Sequence, residues 1–164
     1  MRVAFYDTRL TGDGNVALVR EKAVDCGAGK ITTPEDAADM ARLMLHMDEL
    51  AEEHCYMMAF NTAGRILGLF FLSKGTADAC LLNPREIYIR ALLAGASHII
   101  LLHNHPSGDV SPSRRDIKVT GAVREAGELI GVALADHIII GRMDNNRCYF
   151  SFREAGMLDV SAEK

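Results

Sequence analysis

The chain has 164 residues, of which 49% are hydrophobic and 24% charged, a composition typical of one globular domain with a sizeable core. Its net charge of −4 does not supply the basic surface that nucleic-acid-binding proteins usually carry. The longest apolar runs, residues 66–72 and 99–102, are too short to span a bilayer, and the N-terminus has no signal-peptide core. Four cysteines without a C-x-x-C pair indicate reduced thiols in a cytoplasmic protein.

The first half of the chain predicts strands around one helix. Thr33 precedes Pro34 and two acidic residues, a pattern typical of a helix N-terminus. Apolar residues then recur every three or four positions, as expected for an amphipathic helix. The turn-forming residues 61–64 separate two apolar runs, which predicts a β-hairpin. In order, we expect a mixed segment at 1–15, an edge strand at 16–24, a helix from 34 to about 52, and strands at 53–60 and 65–73.

The second half continues the alternation. Asn83 and Pro84 predict a helix start, Gly95 predicts its end, and Ser113 is the predicted cap of a longer helix. Helices that alternate with strands and hairpins predict an α/β fold, an α-β-α sandwich with a mixed sheet and helices on both faces. The expected elements are a loop at 74–82, helices at 84–94 and 113–130, strands at 99–102, 132–140 and 147–151, a turn at 141–146 and a short helix at 152–158.

The stretch from His103 to Asp116 carries the clearest chemical signal. His103 and His105 are two residues apart at the end of a predicted strand, so their side chains project to the same face. Ser113 can cap a helix that carries Asp116 on its first turn. Asp116 alone could be only the acidic residue of this cap, and that role is compatible with metal binding. Two imidazoles and one carboxylate form a three-ligand zinc site with an open fourth position, which is the layout of a catalytic zinc.

Hydrolysis at such a site also needs a general base and a group that stabilises an oxyanion. The base need not be near the ligands in the sequence. The candidate bases are Glu49, Glu52, Glu53 and Glu86, and the local pattern alone does not choose among them. The hydroxyls available for the oxyanion within the motif are those of Ser107 and Ser113.

The polar residues around these candidates favour structural roles. His137 lies beside an apolar run, where a structural role is favoured, with a pairing of Asp136 and His137 near the site as the alternative. Arg114, Arg115 and Lys118 favour a solvated helix face, with contact to an acidic partner or a phosphate backbone as the alternative.

The run H-N-H-P-S-G at 103–108, followed by Ser113 and Asp116, resembles the signature of bacterial RadC-like proteins. These belong to the JAB/MPN superfamily of JAMM metalloproteases. The stretches P-R-E at 84–86 and D-H-I-I-I-G at 136–141 resemble further parts of the same family. The resemblance divides the chain into an N-terminal strand-containing extension, residues 1–32, and a RadC-like JAB/MPN domain, residues 33–164. It implies the short form, without the helix-hairpin-helix region of full-length RadC proteins.

The resemblance implies the cytidine-deaminase-like fold of JAB/MPN domains and a bound Zn²⁺. The implied function is a zinc-dependent metallopeptidase or isopeptidase-like hydrolase, in which metal-activated water attacks an amide carbonyl of a protein or peptide. The alternative is a DNA repair-associated accessory or binding protein, or a metal-dependent nuclease, although the charge does not support nucleic acid. No membrane partner is expected, and exposed edge strands allow a homodimer. The implied roles are zinc ligands for His103, His105 and Asp116, general base for Glu53 with Glu52 as runner-up, and oxyanion stabiliser for Ser113.

Overall fold

A computed structural model describes residues 1–27, 29–75, 82–142 and 149–159. Within these ranges the chain forms seven strands and three helices. The strands lie in one sheet, in the order β2-β1-β4-β3-β5-β6-β7. The elements are β1 (Arg2–Leu10), β2 (Val16–Asp25), α1 (Pro34–Leu45), β3 (His54–Phe60), β4 (Ile66–Lys74), α2 (Pro84–Leu93), β5 (His98–Asn104), α3 (Arg114–Ile130), β6 (Ala133–Ile140) and β7 (Tyr149–Ser151).

The sheet is mixed, as the sequence predicts. Strands β1 and β4 are parallel, as are β5 and β6, whereas the other neighbouring pairs are antiparallel. In the antiparallel pair of β3 and β5, Cys55 lies opposite His103. The start of β3 therefore meets the end of β5, and Glu53, directly before β3, lies at the same edge of the sheet as His103.

Helices cover both faces of the sheet, which confirms the predicted α-β-α sandwich. Side chains on β3 alternate between the faces, because successive strand residues point to opposite sides. Met58 and Phe60 pack in one apolar cluster with Met40 of α1. Met57 packs in the other cluster with Ile87 of α2, and Val123 of α3 belongs to it as well. The central strands are thus buried on both sides.

Helix α1 begins where predicted but ends earlier. Thr33 accepts a hydrogen bond from the Asp36 backbone, and the Asp36 side chain accepts one from the Thr33 backbone, so both halves of a capping box are present. The predicted end at about Glu52 is wrong, because His46 adopts a left-handed conformation with φ 50° and stops the helix. Met47 follows in a turn and is still buried, so the apolar spacing continues beyond the helical backbone.

The two ends of the chain also differ from expectation. The sequence pattern leaves residues 1–15 mixed, but residues 2–10 form β1 because they pair with β2 on one side and β4 on the other. The short helix expected at 152–158 is wrong, since these residues form turns. Gly156 has φ 68°, and the Met157 N–H donates back to the Phe152 carbonyl.

Part of what the sequence predicts lies outside the described residues. This applies to residues 76–81 of the expected loop, 143–146 of the expected turn, the first two residues of the last predicted strand, and Cys80 and Cys148. The boundary at residue 32 stays a prediction, although β1 and β2 belong to the same sheet as the other strands. Among the helices in the described part of the chain, none combines the length and apolarity needed to cross a membrane.

Candidate metal centre

Three side chains converge where β5 ends and α3 begins. The Nε2 atoms of His103 and His105 lie 2.9 Å apart, and Asp116 carboxylate oxygens lie 3.4 and 3.5 Å from them. A tetrahedral zinc ion with bonds of about 2.0–2.1 Å separates neighbouring ligand atoms by about 3.3 Å. His103 faces Oδ1 of the carboxylate and His105 faces Oδ2, and one ligand atom from each of the three residues lies within 4.8 Å of the others, close enough to hold a single ion. Imidazole and carboxylate ligands suit zinc. The structure brings together the three residues that the sequence predicts as ligands.

Local backbone geometry aims both histidines at this point. The His105 N–H donates to the Ile140 carbonyl at 2.9 Å, so the chain stays beside β6 for one residue beyond β5. Gly108, with φ 84°, then turns the chain, and its N–H donates to the His105 carbonyl at 3.0 Å. The His105 ring lies with Nδ1 2.6 Å from the Asp109 carbonyl, which leaves Nε2 facing His103.

Burial and charge set the protonation of the cluster. Burial and the neighbouring His137 hold the pKa of His103 well below its usual value, against the opposing effect of Asp116. Burial also disfavours protonation of His105, but its hydrogen bond to Asp116 and nearby negative charges raise the pKa. Burial would raise the pKa of Asp116, but hydrogen bonds from His105 and Ser113 and the charge of His103 lower it. The cluster therefore holds an ionised carboxylate beside two imidazoles, a combination that attracts a cation.

Glu53 shares a cavity with this cluster. The cavity has a volume of about 260 Å³, and His103, Asp116 and Glu53 all line it. Glu53 is only 9% exposed, and its charge contributes to the raised pKa of His105. The three competing glutamates face other partners at the surface: Glu52 forms an ion pair with Lys74, Glu86 forms ion pairs with Arg85 and Arg90, and Glu49 lies 3.8 Å from a ring nitrogen of His46. The geometry thus favours Glu53 as the base, and its catalytic role stays a prediction.

The residue between the two histidines holds the backbone around Glu53. Asn104 points away from the cluster, and its Oδ1 accepts the His54 N–H at 2.8 Å. Its Nδ2 donates to the Glu52 carbonyl at 3.1 Å. On the other side, the Gly75 N–H donates to the Glu53 carbonyl at 2.8 Å. These three bonds fix the main chain on both sides of Glu53. The sequence pattern did not indicate this role for Asn104.

Ser113 caps α3 as predicted. Its hydroxyl donates to Asp116 Oδ2 at 2.6 Å and accepts the Asp116 N–H at 3.2 Å, while the Ser113 N–H donates to the same carboxylate oxygen at 2.7 Å. This capping box orients the Asp116 carboxylate toward the histidines. Ser107 instead accepts the Asp109 N–H at 3.3 Å. The role of Ser113 at an oxyanion stays a prediction.

Two further buried residues lie behind His103. Nε2 of His137 on β6 is 2.8 Å from His103 Nδ1, and Nδ1 of His137 is 2.7 Å from Thr120 Oγ1. The Thr120 hydroxyl donates to the Asp116 carbonyl at 2.6 Å. Burial lowers the pKa of His137 to about 4. The sequence favoured a structural role for His137, with a place near the site as the alternative, and gave no indication of Thr120. Thr120 follows Asp116 by four residues and so lies on the same face of the helix, and this spacing could have indicated that Thr120 lies near the site.

The fold and the site together define an α/β domain with a His-His-Asp cluster suited to a metal. The sequence model of the RadC-like JAB domain matches residues 31–157, and the chain belongs to this family. This confirms the resemblance seen in the sequence.

Several bacterial relatives carry the name UPF0758 protein. One from Clostridium beijerinckii is 41% identical over 129 residues, which are 79% of this chain and 54% of the relative. One from Staphylococcus haemolyticus is 39% identical over 131 residues, 80% of this chain and 55% of the relative. One from Rubrobacter xylanophilus is 38% identical over 143 residues, which are 86% of this chain and 60% of the relative. The chain spans about half the length of the first two.

Proposed function

We propose that the protein is a zinc-dependent hydrolase of the JAMM type, a metallopeptidase or isopeptidase that cleaves an amide bond. One observation carries this proposal: two imidazole nitrogens and a carboxylate converge beside a buried glutamate on a common cavity. Three protein ligands leave a position open on zinc, as catalytic rather than structural sites do. Family membership supports the same interpretation.

The residues divide the chemistry among them. When bound, Zn²⁺ supplies the Lewis acidity that makes water nucleophilic near neutral pH. Glu53 takes the proton from the attacking water and delivers it to the leaving nitrogen, as general base and then general acid. Asn104 holds the peptide groups next to Glu53 and so keeps its carboxylate at the cavity. Ser113 is the proposed hydrogen-bond donor to the developing oxyanion, a role for which its hydroxyl must turn away from Asp116 Oδ2, to which it donates in this structure.

The rest of the cavity wall supports a peptide substrate. An apolar side chain gains free energy when such a wall removes it from water, and a carboxylate is attracted by nearby cations. The wall offers both, and we therefore propose a substrate segment with an apolar and an acidic residue near the scissile bond. The apolar lining residues are Cys55, Leu82, Pro84, Val119 and Ala122, and the cationic ones are the exposed Arg115 and Lys118.

A cytoplasmic location is part of the proposal. Cys26 is a buried free thiol, which suits a reducing compartment. A homodimer paired through edge strands stays a prediction.

The test compares Glu53→Gln with the adjacent Glu52→Gln in the zinc-loaded protein. Zinc content is measured by elemental analysis, and turnover is measured on a library of linear and isopeptide-linked peptides. Glu53→Gln is expected to keep stoichiometric zinc and to lower kcat by about 10²–10⁴-fold, because only proton transfer is removed. Glu52→Gln serves as the control, since Glu52 pairs with Lys74 at 3.1 Å, and it is expected to retain both zinc and activity.

Four results would count against the proposal. Wild-type protein without stoichiometric zinc, or His103→Ala with undiminished zinc, would reject the metal site. Full turnover in Glu53→Gln would reject Glu53 as the base. DNA cleavage that is lost in Glu53→Gln, without any peptide cleavage, would transfer the proposal to the nuclease alternative.

A further inference from the structure

We infer that Thr120 and His137 are positioning residues that fix which ring nitrogen of His103 carries the proton, leaving His103 Nε2 free for a metal ion. The inference rests on the proposed function only in sharing its metal site, and it holds whatever the substrate is. It follows from the directions in which a chain of buried hydrogen bonds can run.

The chain begins at Thr120, where the direction is unambiguous. The Thr120 hydroxyl lies 2.6 Å from the Asp116 backbone carbonyl, which can only accept, so the single hydroxyl hydrogen is donated there. Thr120 Oγ1 also lies 2.7 Å from His137 Nδ1. Because its only hydrogen is already donated, the oxygen must accept in this second hydrogen bond. His137 therefore carries a hydrogen on Nδ1.

The next bond transmits this choice to His103. His137 is fully buried, and burial without a carboxylate partner on the ring favours the neutral imidazole. A neutral ring with its hydrogen on Nδ1 has a bare Nε2, which can only accept. His103 Nδ1 lies 2.8 Å from that atom and must donate to it. The neutral His103 ring then has its lone pair on Nε2, the atom that faces His105 and Asp116.

His105 directs its Nε2 at the cluster by a shorter route, and without a metal this nitrogen donates to Asp116. Its Nδ1 lies 2.6 Å from the Asp109 carbonyl, so this nitrogen donates and Nε2 remains for the metal. His103 lies inside the sheet, and the atom next to its Nδ1 belongs to another histidine. A histidine partner accepts or donates depending on its own tautomer, so Thr120 is needed to remove the ambiguity.

The wrong tautomers would block the site. If Thr120 did not accept from His137, the His137 hydrogen could move to Nε2 and be donated to His103 Nδ1. The His103 hydrogen would then lie on Nε2, and both rings would remain neutral. That hydrogen would occupy the position that a metal needs. Only 2% of His103, 3% of Thr120 and 0% of His137 is exposed, so solvent cannot replace a hydrogen bond that is lost between them.

The test uses the full chain, and neither readout is catalytic. Long-range ¹H–¹⁵N correlation spectra of the metal-free protein at neutral pH identify the protonated nitrogen of each buried histidine. In the wild type, His103 is expected to be bare at Nε2. Competition with a chromophoric chelator then measures the Kd for Zn²⁺ in the wild type, Thr120→Val and Thr120→Ser. Val preserves the shape of Thr but removes the hydroxyl, and Ser preserves the hydroxyl.

Thr120→Val is expected to show a mixture of His103 tautomers and to bind Zn²⁺ about 10–100-fold more weakly. Thr120→Ser is expected to restore the wild-type spectrum and a Kd near the wild-type value. A wild-type His103 protonated at Nε2 would overturn the inference, and it needs no variant. Equal Kd values for Thr120→Val and the wild type would overturn it as well. Absence of peptidase activity would count against the proposed function alone, because neither measurement depends on turnover.

Discussion

Acidification of the metal-free protein is expected to destabilise it through His137. The pKa of this histidine lies near 4 in the folded protein, against 6.5 for an unperturbed side chain, chiefly because burial disfavours the charged ring. The Asp116 charge opposes this shift and the His105 charge adds to it. Because the folded-state pKa is the lower one, protonation favours the unfolded chain. Neutral His137 therefore makes its full contribution to the free energy of unfolding above pH 6.5, and this contribution is lost as the pH falls toward 4.

The difference between the folded-state and unfolded-state pKa values of His137 sets how much stability is lost on acidification. A gap of about 2.5 units corresponds to about 3 kcal/mol over the whole window. Between about pH 7 and pH 5, the linkage relation assigns about 2 kcal/mol of that loss to His137. His103 is also buried with a lowered pKa and acts in the same direction, so the wild type can lose more.

Urea unfolding in the presence of a chelator measures this effect. The free energy of unfolding is compared at the two pH values for the wild type and for His137→Gln, which removes the titrating ring. The variant is expected to be less stable at neutral pH, and its loss on acidification should be smaller than that of the wild type by about 2 kcal/mol.

The pH dependence of the unfolding free energy distinguishes the effect of His137 titration from the effect of lost packing. His137→Gln also loses the ring contact with Phe152, whose centroid lies 5.0 Å away, but that loss does not depend on pH. Equal pH dependence in the two proteins would show that His137 does not titrate between the two states. A wild type that becomes more stable at pH 5 would refute the sign of the argument.

Three other substitutions probe helix packing and the hydrogen bonds of Asn104. In Gly127→Ala, the new Cβ would lie 2.5 Å from the Val132 carbonyl oxygen and would also meet the Tyr88 hydroxyl, so thermal unfolding should show a loss of about 1–3 kcal/mol. Gly121→Ala on the same helix has open space and should be neutral or stabilising by up to about 1 kcal/mol; equal effects of the two would contradict this account. Asn104→Ala leaves two part-buried backbone groups without their partner and should lower the free energy of unfolding in urea by about 1–2 kcal/mol. Unchanged stability would show that water replaces the amide.

The helix starts were predictable because capping is a local interaction. Thr33, Asn83 and Ser113 each cap the helix that follows, and each is recognisable from the next three residues. The end of α1 was not predictable in this way. Apolar residues continue at helical spacing past Leu45, and the left-handed conformation of His46 is not a preference that this spacing reveals.

The metal ligands were predictable for a similar reason. His103 and His105 are two residues apart, so strand geometry points both imidazoles to one side, and Asp116 follows after a short turn, three residues beyond its cap. The choice of Glu53 needed more than local pattern. Several glutamates share its surroundings in the sequence, and the pairing of β3 with β5 is what places Glu53 at the cavity.

The chain of hydrogen bonds behind His103 lies entirely beyond local sequence rules. His137 is 34 residues from His103, and the two meet because β5 and β6 are parallel neighbours in one register. Thr120 joins them from a helix packed on that face of the sheet. The sequence therefore specified which atoms can bind a metal, since that depends on residue type and short spacing. The fold specified which of those atoms carry protons, because a tautomer depends on partners that only tertiary packing brings within hydrogen-bonding distance.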